Sequence, residues 1–196
     1  LATSIARRWY DADGVDMITE LTTSSVALAV QELSKEKKKV DIVVGAATSA
    51  ITGAACTPYG FHWAFDTHAL AVGTGGALVK AGGDSWFFIT DDYAFGHSLE
   101  KDASAVVTRN GGKVLGAVRP PFATPDLSSF ILQAQASKAK IIGLANAGGD
   151  TTNAIKQAAE FGLTKSGQRL SPLLAFVTDI DSVGLETAQG LRSEER

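Results

Sequence analysis

The chain alternates segments of strand-like pattern with longer segments of helical periodicity. Strand patterns lie at 16–21, 40–45, 61–65, 85–90, 113–118, 140–144 and 173–177. Apolar residues at helical spacing predict helices at 2–11, 25–37, 67–81, 95–109, 128–137, 151–161 and 182–189. Repeated strand–helix units indicate parallel sheets covered on both faces and joined by right-handed crossovers. The pattern therefore predicts an α/β, doubly wound fold.

Two of the predicted strands end in turns that are rich in small and hydroxyl-bearing residues. The strand pattern at 40–44 runs into Gly45–Ser49, and the preceding one runs into Thr22–Ser25. Ser and Thr at such positions can simply cap the following helix. Backbone N–H groups at a helix start also bind anions, and two neighbouring turns could converge on one small carboxylate. Both interpretations remain open on the residues alone.

A second set of polar and aromatic residues follows later strands. It comprises Asp91–Gly96, Asn146–Asp150 and Thr178–Asp181. Ligands of open α/β sheets bind beyond the carboxyl ends of the strands, so these segments predict a cleft lined by loops. Tyr93 and Phe95 fit either a core or a cleft position. The adjacent Asp91 and Asp92 are expected to point to opposite faces, which argues against a joint acid–base role.

Composition narrows the function classes. A formal net charge of -3 without a clustered basic face disfavours nucleic acid as a partner, and no apolar stretch approaches the roughly 20 residues that span a bilayer. The single cysteine, Cys56, precludes an internal disulfide. His62, His68 and His97 lack metal-ligand spacing, and no complete nucleotide fingerprint occurs. We therefore expect no metal, no cofactor and no catalytic residues.

Taken in order, these motifs resemble the substrate-binding proteins of ABC importers of the branched-chain amino acid type, the type I periplasmic binding proteins. The resemblance rests on segments 23–27, 44–49, 92–96 and 143–150 and covers nearly the whole chain. It implies a two-lobed fold, with part of the first lobe at 1–68, the second at 69–190, and a tail near the return hinge crossing at 191–196. The chain is expected to be a partial copy, an internal piece whose export signal lies elsewhere.

The resemblance also implies roles for individual residues. A small carboxylate ligand would be trapped between the lobes, and hydroxyl or N–H groups of the two turns would hold it. The Ala46 carbonyl would receive an amino group, Phe95 would pack on the ligand with Tyr93 close by, and Asp179 would pair with an ammonium. Asn146 stands where amino acid binders often carry Tyr. The implied ligand-binding residues are Thr23, Ser24, Ser25, Ala46, Ala47, Thr48, Tyr93, Phe95, Asn146 and Asp179.

The resemblance implies an extracytoplasmic protein whose partners are the permease subunits of an ABC importer, with no membrane insertion of its own. The ligand would be a branched-chain or related amino acid, or an aromatic or other organic acid. Two alternatives remain: a ligand-sensing domain of a receptor or regulator with the same fold, and an α/β enzyme. Asp179 also keeps an alternative, because it could cap the last predicted helix instead of pairing with a ligand cation.

Overall fold

The first of two compact units spans Leu1–Thr67 in the computed structural model, which describes residues 1–193. It contains helix α1 (Ala2–Asp11), strand β1 (Met17–Glu20), helix α2 (Ser24–Lys37), strand β2 (Val40–Val43) and strand β3 (Gly60–His62). The three strands are parallel in the order β1-β2-β3. Their carboxyl ends therefore lie at one edge of the sheet, where the turns after β1 and β2 are neighbours.

The second unit, His68–Arg196, holds a four-stranded parallel sheet in the order β5-β4-β6-β7. In chain order the elements are α3 (Thr67–Lys80), β4 (Ser85–Thr90), α4 (Ala94–Arg109), β5 (Lys113–Val118), α5 (Ser128–Ala136), β6 (Ile141–Ala145), α6 (Gly149–Glu160), a 3-10 turn (Thr164–Ser166), β7 (Arg169–Pro172) and α7 (Val177–Val183). The all-parallel sheets confirm the predicted α/β class. Of the predicted tail at 191–196, residues 194–196 lie outside the described residues.

The end of the second unit differs from the sequence prediction in two places. The strand predicted at 173–177 is wrong, because the observed strand β7 is Arg169–Pro172, paired with β6. This strand is at the sheet edge, where polar residues and a terminal proline are tolerated, so it lacks the apolar run of a central strand. The helix predicted at 182–189 is also wrong. Helix α7 begins at Val177 and ends at Val183, and the next residue, Gly184, has a positive φ of 84°.

Separate apolar clusters stabilise the two units. Ala6 and Tyr10 of α1 pack with Ile18 of β1 and with Val30 and Leu33 of α2. In the second unit, apolar side chains of β4, α5, β6 and α6 form a larger cluster. Within residues 1–193, no helix is both long and apolar enough to cross a bilayer.

Asp41 of β2 is a buried acid within the first unit. It is 0% exposed and lies near the hydroxyl groups of Tyr10 and Ser34, which are 2.8 Å apart. Burial raises the pKa of Asp41 to about 6, against the opposing effect of the Ser34 hydroxyl. The folded protein therefore binds this proton more tightly than the unfolded chain, so its free energy of unfolding decreases as the pH rises through this range.

We expect Asp41→Asn to stabilise the protein at pH 7.5 by about 1–3 kcal/mol, because the amide removes the buried charge. The gain should disappear near pH 4, where the native carboxyl is already protonated. Urea unfolding of the full-length protein at both pH values measures this. Asp13→Asn is the control, since Asp13 pairs with Arg8 at the surface and should change stability little. Equal destabilisation by Asp41→Asn at both pH values would contradict the assignment.

Candidate ligand-binding site

The turns after β1 and β2 are joined directly in the first unit. N–H groups that follow β2 donate three hydrogen bonds to acceptors at or after the end of β1: Val44 to Glu20 O (2.9 Å), Ala46 to Leu21 O (3.0 Å) and Thr48 to Ser24 Oγ (3.2 Å). The structure thus brings together Ser24, Ala46, Ala47 and Thr48, and all four are at most 2% exposed. Thr23 and Ser25 flank them and are exposed.

The local sequence permits this close approach of the two turns. A Cβ atom on Gly45 would lie 3.0 Å from Cγ2 and 3.1 Å from Cα of Thr22, so only glycine fits without displacement. Glu20 and Leu21 have left-handed φ values of 80° and 52°. Such backbone conformations cost a non-glycine residue about 1–3 kcal/mol and cluster at functional sites.

Thr23 is the N-cap residue of α2, but its side chain makes no capping hydrogen bond. The simple capping role that the sequence allowed is therefore not performed by this hydroxyl in the structure. No acidic residue lies in the first turn of α2 either. The N–H groups at the helix start, with the positive end of the helix dipole, consequently face neither a capping hydroxyl from Thr23 nor a carboxylate of that turn.

His62, which the sequence did not single out for this site, contacts the second turn. Its Nε2 lies 2.8 Å from Ala46 O, and because a carbonyl only accepts, the imidazole N–H donates. The neighbouring Ala47 O accepts from Thr67 N–H at 2.8 Å. Both alanine carbonyls are therefore hydrogen-bonded inside the first unit. Nothing in the local spacing could have found His62, because the contact depends on the pairing of β3 with β2.

In the second unit, aromatic residues gather where β4 passes into α4. Phe95 is 4% exposed, and its ring centroid is 6.0 Å from that of the half-buried Tyr93. Phe122, from the loop after β5, meets Tyr93 edge-to-face at 4.9 Å and is itself largely exposed. Helix α4 starts close to the strand end because of Gly96, where a Cβ atom would be 2.2 Å from Asp91 O.

Asp91, at the carboxyl end of β4, pairs with Asp150 of α6. Asp91 is 2% exposed, and burial, followed by the Asp150 charge and a hydrogen bond to it, raises its pKa to about 8. The raised pKa means that Asp91 holds its proton more tightly than an ordinary carboxyl group, and Asp150 also accepts from Ala123 N–H at 2.9 Å. Burial and the two carboxyl groups raise the pKa of Tyr93 to about 12. Asp92, in contrast, is exposed beside His97 at 2.8 Å, so Asp91 and Asp92 do not act jointly.

The two remaining candidates lie after β6 and β7. Asn146 is 1% exposed, and its Oδ1 accepts from Thr151 Oγ1 at 2.8 Å, whereas its Nδ2 has no partner within residues 1–193. Asp179 accepts the Phe176 N–H at 2.8 Å through Oδ2, so it caps α7. Of the two roles that the sequence left open for Asp179, the structure thus shows the helix cap. Its pairing with a ligand cation stays a prediction.

This geometry, with two α/β units that each contain a parallel sheet and polar turns at the strand ends, agrees with a family-level match. The sequence pattern of the family described as periplasmic binding protein matches residues 1–194. The chain belongs to the periplasmic binding protein family. Its relatives include ABC-transporter proteins of the branched-chain amino acid type, which confirms the resemblance drawn from the motifs.

A periplasmic binding protein from Burkholderia mallei is 56% identical, with a TM-score of 0.94, and the match covers 97% of this chain and 50% of that one. A solute-binding protein of an R. palustris ABC transporter, solved in complex with 4-hydroxybenzoate, is 26% identical, with a TM-score of 0.85 and coverage of 93% and 50%. A Leu/Ile/Val-binding protein homolog 6 from Brucella melitensis is 26% identical over 168 residues, 85% of this chain and 43% of its own length. The chain thus spans about half the length of these relatives.

We expect Gly96→Ala to lower the free energy of unfolding by about 1–3 kcal/mol, because its Cβ would collide with a backbone carbonyl. Gly149→Ala in the first turn of α6 is the matched control. A Cβ there meets nothing within 4 Å, and alanine favours the helix, so stability should be unchanged or slightly higher. Chemical denaturation of the full-length protein compares the two. Equal stability of both variants would show that the start of α4 can shift freely.

Proposed function

We propose that the chain is the ligand-binding part of an extracytoplasmic solute-binding protein that captures a small carboxylate and delivers it to an ABC importer. Membership in the periplasmic binding protein family supports the transport role and the location outside the cytoplasmic membrane. In this function the protein binds and releases its ligand and catalyses no reaction. The permease subunits of the importer are then its protein partners.

The convergence of the buried hydroxyl groups of Ser24 and Thr48 at the start of α2 carries the proposal. A helix start attracts anions through its free N–H groups and its dipole. Ser24 already accepts the Thr48 N–H, so its hydroxyl proton remains to be donated, while Thr48 Oγ1 accepts from Ala50 N–H at 3.3 Å and can likewise donate. Thr23, Ser25 and the Ala47 backbone would complete the contacts.

The binding free energy expected for a carboxylate at these two turns suits a transport protein. Each hydrogen bond to a charged group contributes roughly 1.5–3 kcal/mol. A few of them, together with apolar contacts, are sufficient for micromolar binding, about -8 kcal/mol. Tyr93, Phe95 and Asn146 of the second unit stay proposed ligand-binding residues, and Asn146 Nδ2 has no partner within residues 1–193.

The relatives support the same ligand chemistry. The R. palustris protein holds 4-hydroxybenzoate, and the Brucella relative is named for leucine, isoleucine and valine. These ligands share one group, the carboxylate, and differ in almost everything else. The hydroxyl and N–H groups of the turns in the first unit, which can donate to a carboxylate, are the part of the site that both ligand types would use.

A thermal-shift screen of the full-length protein tests the function. The probes are leucine, valine, benzoate and 4-hydroxybenzoate, and their amides, which lack the carboxylate, serve as matched controls. A carboxylate at 100 times its dissociation constant stabilises the folded state by about 2.7 kcal/mol and raises the melting temperature, whereas its amide should not. If no carboxylate raises the melting temperature, or the amides do so equally, the proposal fails.

We expect Thr48→Ala to weaken carboxylate binding at least tenfold, because it removes one donor from a charge-assisted hydrogen bond, about 1.4 kcal/mol. Thr48→Ser, which keeps the hydroxyl, should bind within a few-fold of the native protein. Isothermal titration of both variants with the best carboxylate of the screen gives the dissociation constants. Melting curves without ligand confirm that both are folded. An unchanged dissociation constant for Thr48→Ala would remove Thr48 from the site.

A further inference from the structure

The Ala46 carbonyl is the group that the family resemblance assigns to a ligand's amino group, and in this chain it already has a donor. His62 Nε2 donates to it at 2.8 Å from the paired strand β3. A ligand ammonium is also only a donor, so it would have to share this oxygen with the imidazole. It would then lie against the positive end of the imidazole N–H, which is an unfavourable contact.

Two acidic residues of the second unit, Asp179 and Asp150, also accept backbone N–H groups. Asp179, the other group implied for an ammonium, accepts the Phe176 N–H at 2.8 Å and so caps α7. Asp150 accepts the Ala123 N–H at 2.9 Å and lies against the buried Asp91. The two acceptors that the resemblance implies for an ammonium, Ala46 O and the Asp179 carboxylate, therefore each have a hydrogen-bond donor within their own unit.

We propose that His62 is a specificity-determining residue that makes the site prefer carboxylates without a neighbouring ammonium group, such as aromatic and other organic acids, over amino acids. This rests on the proposed function, because it concerns the ligand held at the same turns. A bound amino acid would have to place its ammonium at an oxygen that already accepts the His62 N–H, next to the positive end of that N–H, whereas a carboxylate without an ammonium group avoids this contact.

The test uses pairs of acids that differ only in the ammonium group: 4-methylpentanoate with leucine, and phenylacetate with phenylglycine. Isothermal titration of the native full-length protein should show at least tenfold tighter binding of the deaminated member of each pair. If the amino acid binds as tightly as its partner or more tightly, the inference is overturned while the carboxylate site stands. If none of the four acids binds and the screen above finds no carboxylate, the proposed function itself fails and this inference fails with it.

Two variants then assign the preference to His62. His62→Leu removes the donor, so the preference should fall at least tenfold, chiefly through tighter binding of the amino acid. His62→Gln keeps an N–H donor at similar reach and should retain most of the preference. Melting curves without ligand show whether both variants are folded, and the preference is compared as the ratio of the two dissociation constants within each variant. A preference that persists in His62→Leu would assign the selectivity to other residues and overturn the role of His62.

Discussion

Three hydrogen bonds from the residues after β2 to the last residue of β1 and the residues after it hold the candidate site of the first unit in place. Without them, the N–H groups of Val44, Ala46 and Thr48 would lack these acceptors beyond the end of the ladder. The bonds place Glu20 and Leu21 in left-handed conformations, and each strained residue costs about as much as one hydrogen bond contributes. The hydrogen bonds therefore gain little net free energy over the backbone strain, and apolar packing must stabilise this conformation. Ala46 does so by joining a buried cluster to which Leu21 adds its side chain.

Buried acids follow one rule in both units. Asp41 and Asp91 are almost completely buried, and burial is the largest cause of the raised pKa of each. No basic residue is among the causes that act on either pKa. Each carboxyl group therefore tends to keep its proton, Asp91 at neutral pH and Asp41 only below about pH 6.

The sequence predicted the elements whose pattern is local. Ser85–Thr90 and Lys113–Val118 were located correctly because each is a strand with its own boundary signals. Strand β7 was misplaced because its polarity reflects an edge position, which no local pattern reveals. In the site, the meeting of the two hydroxyl turns was predictable from parallel pairing alone. The contacts of His62 and of Asp150 were not, because each depends on where a separate element packs.

Ligand selectivity in such a site depends both on the acceptors that the fold already uses in its own hydrogen bonds and on the donors that it leaves for the ligand. Asp179, at the third position of α7, accepts the Phe176 N–H at the helix start, so a ligand cation would have to share this carboxylate with the helix. The same holds for the Ala46 carbonyl, which a ligand ammonium would have to share with His62. Discrimination of this kind needs no clashing side chain, since the unwanted ligand is disfavoured by acceptors that are already hydrogen-bonded. The hydroxyl groups of Ser24 and Thr48 differ from these acceptors, because each can accept from the backbone and still donate to an anion.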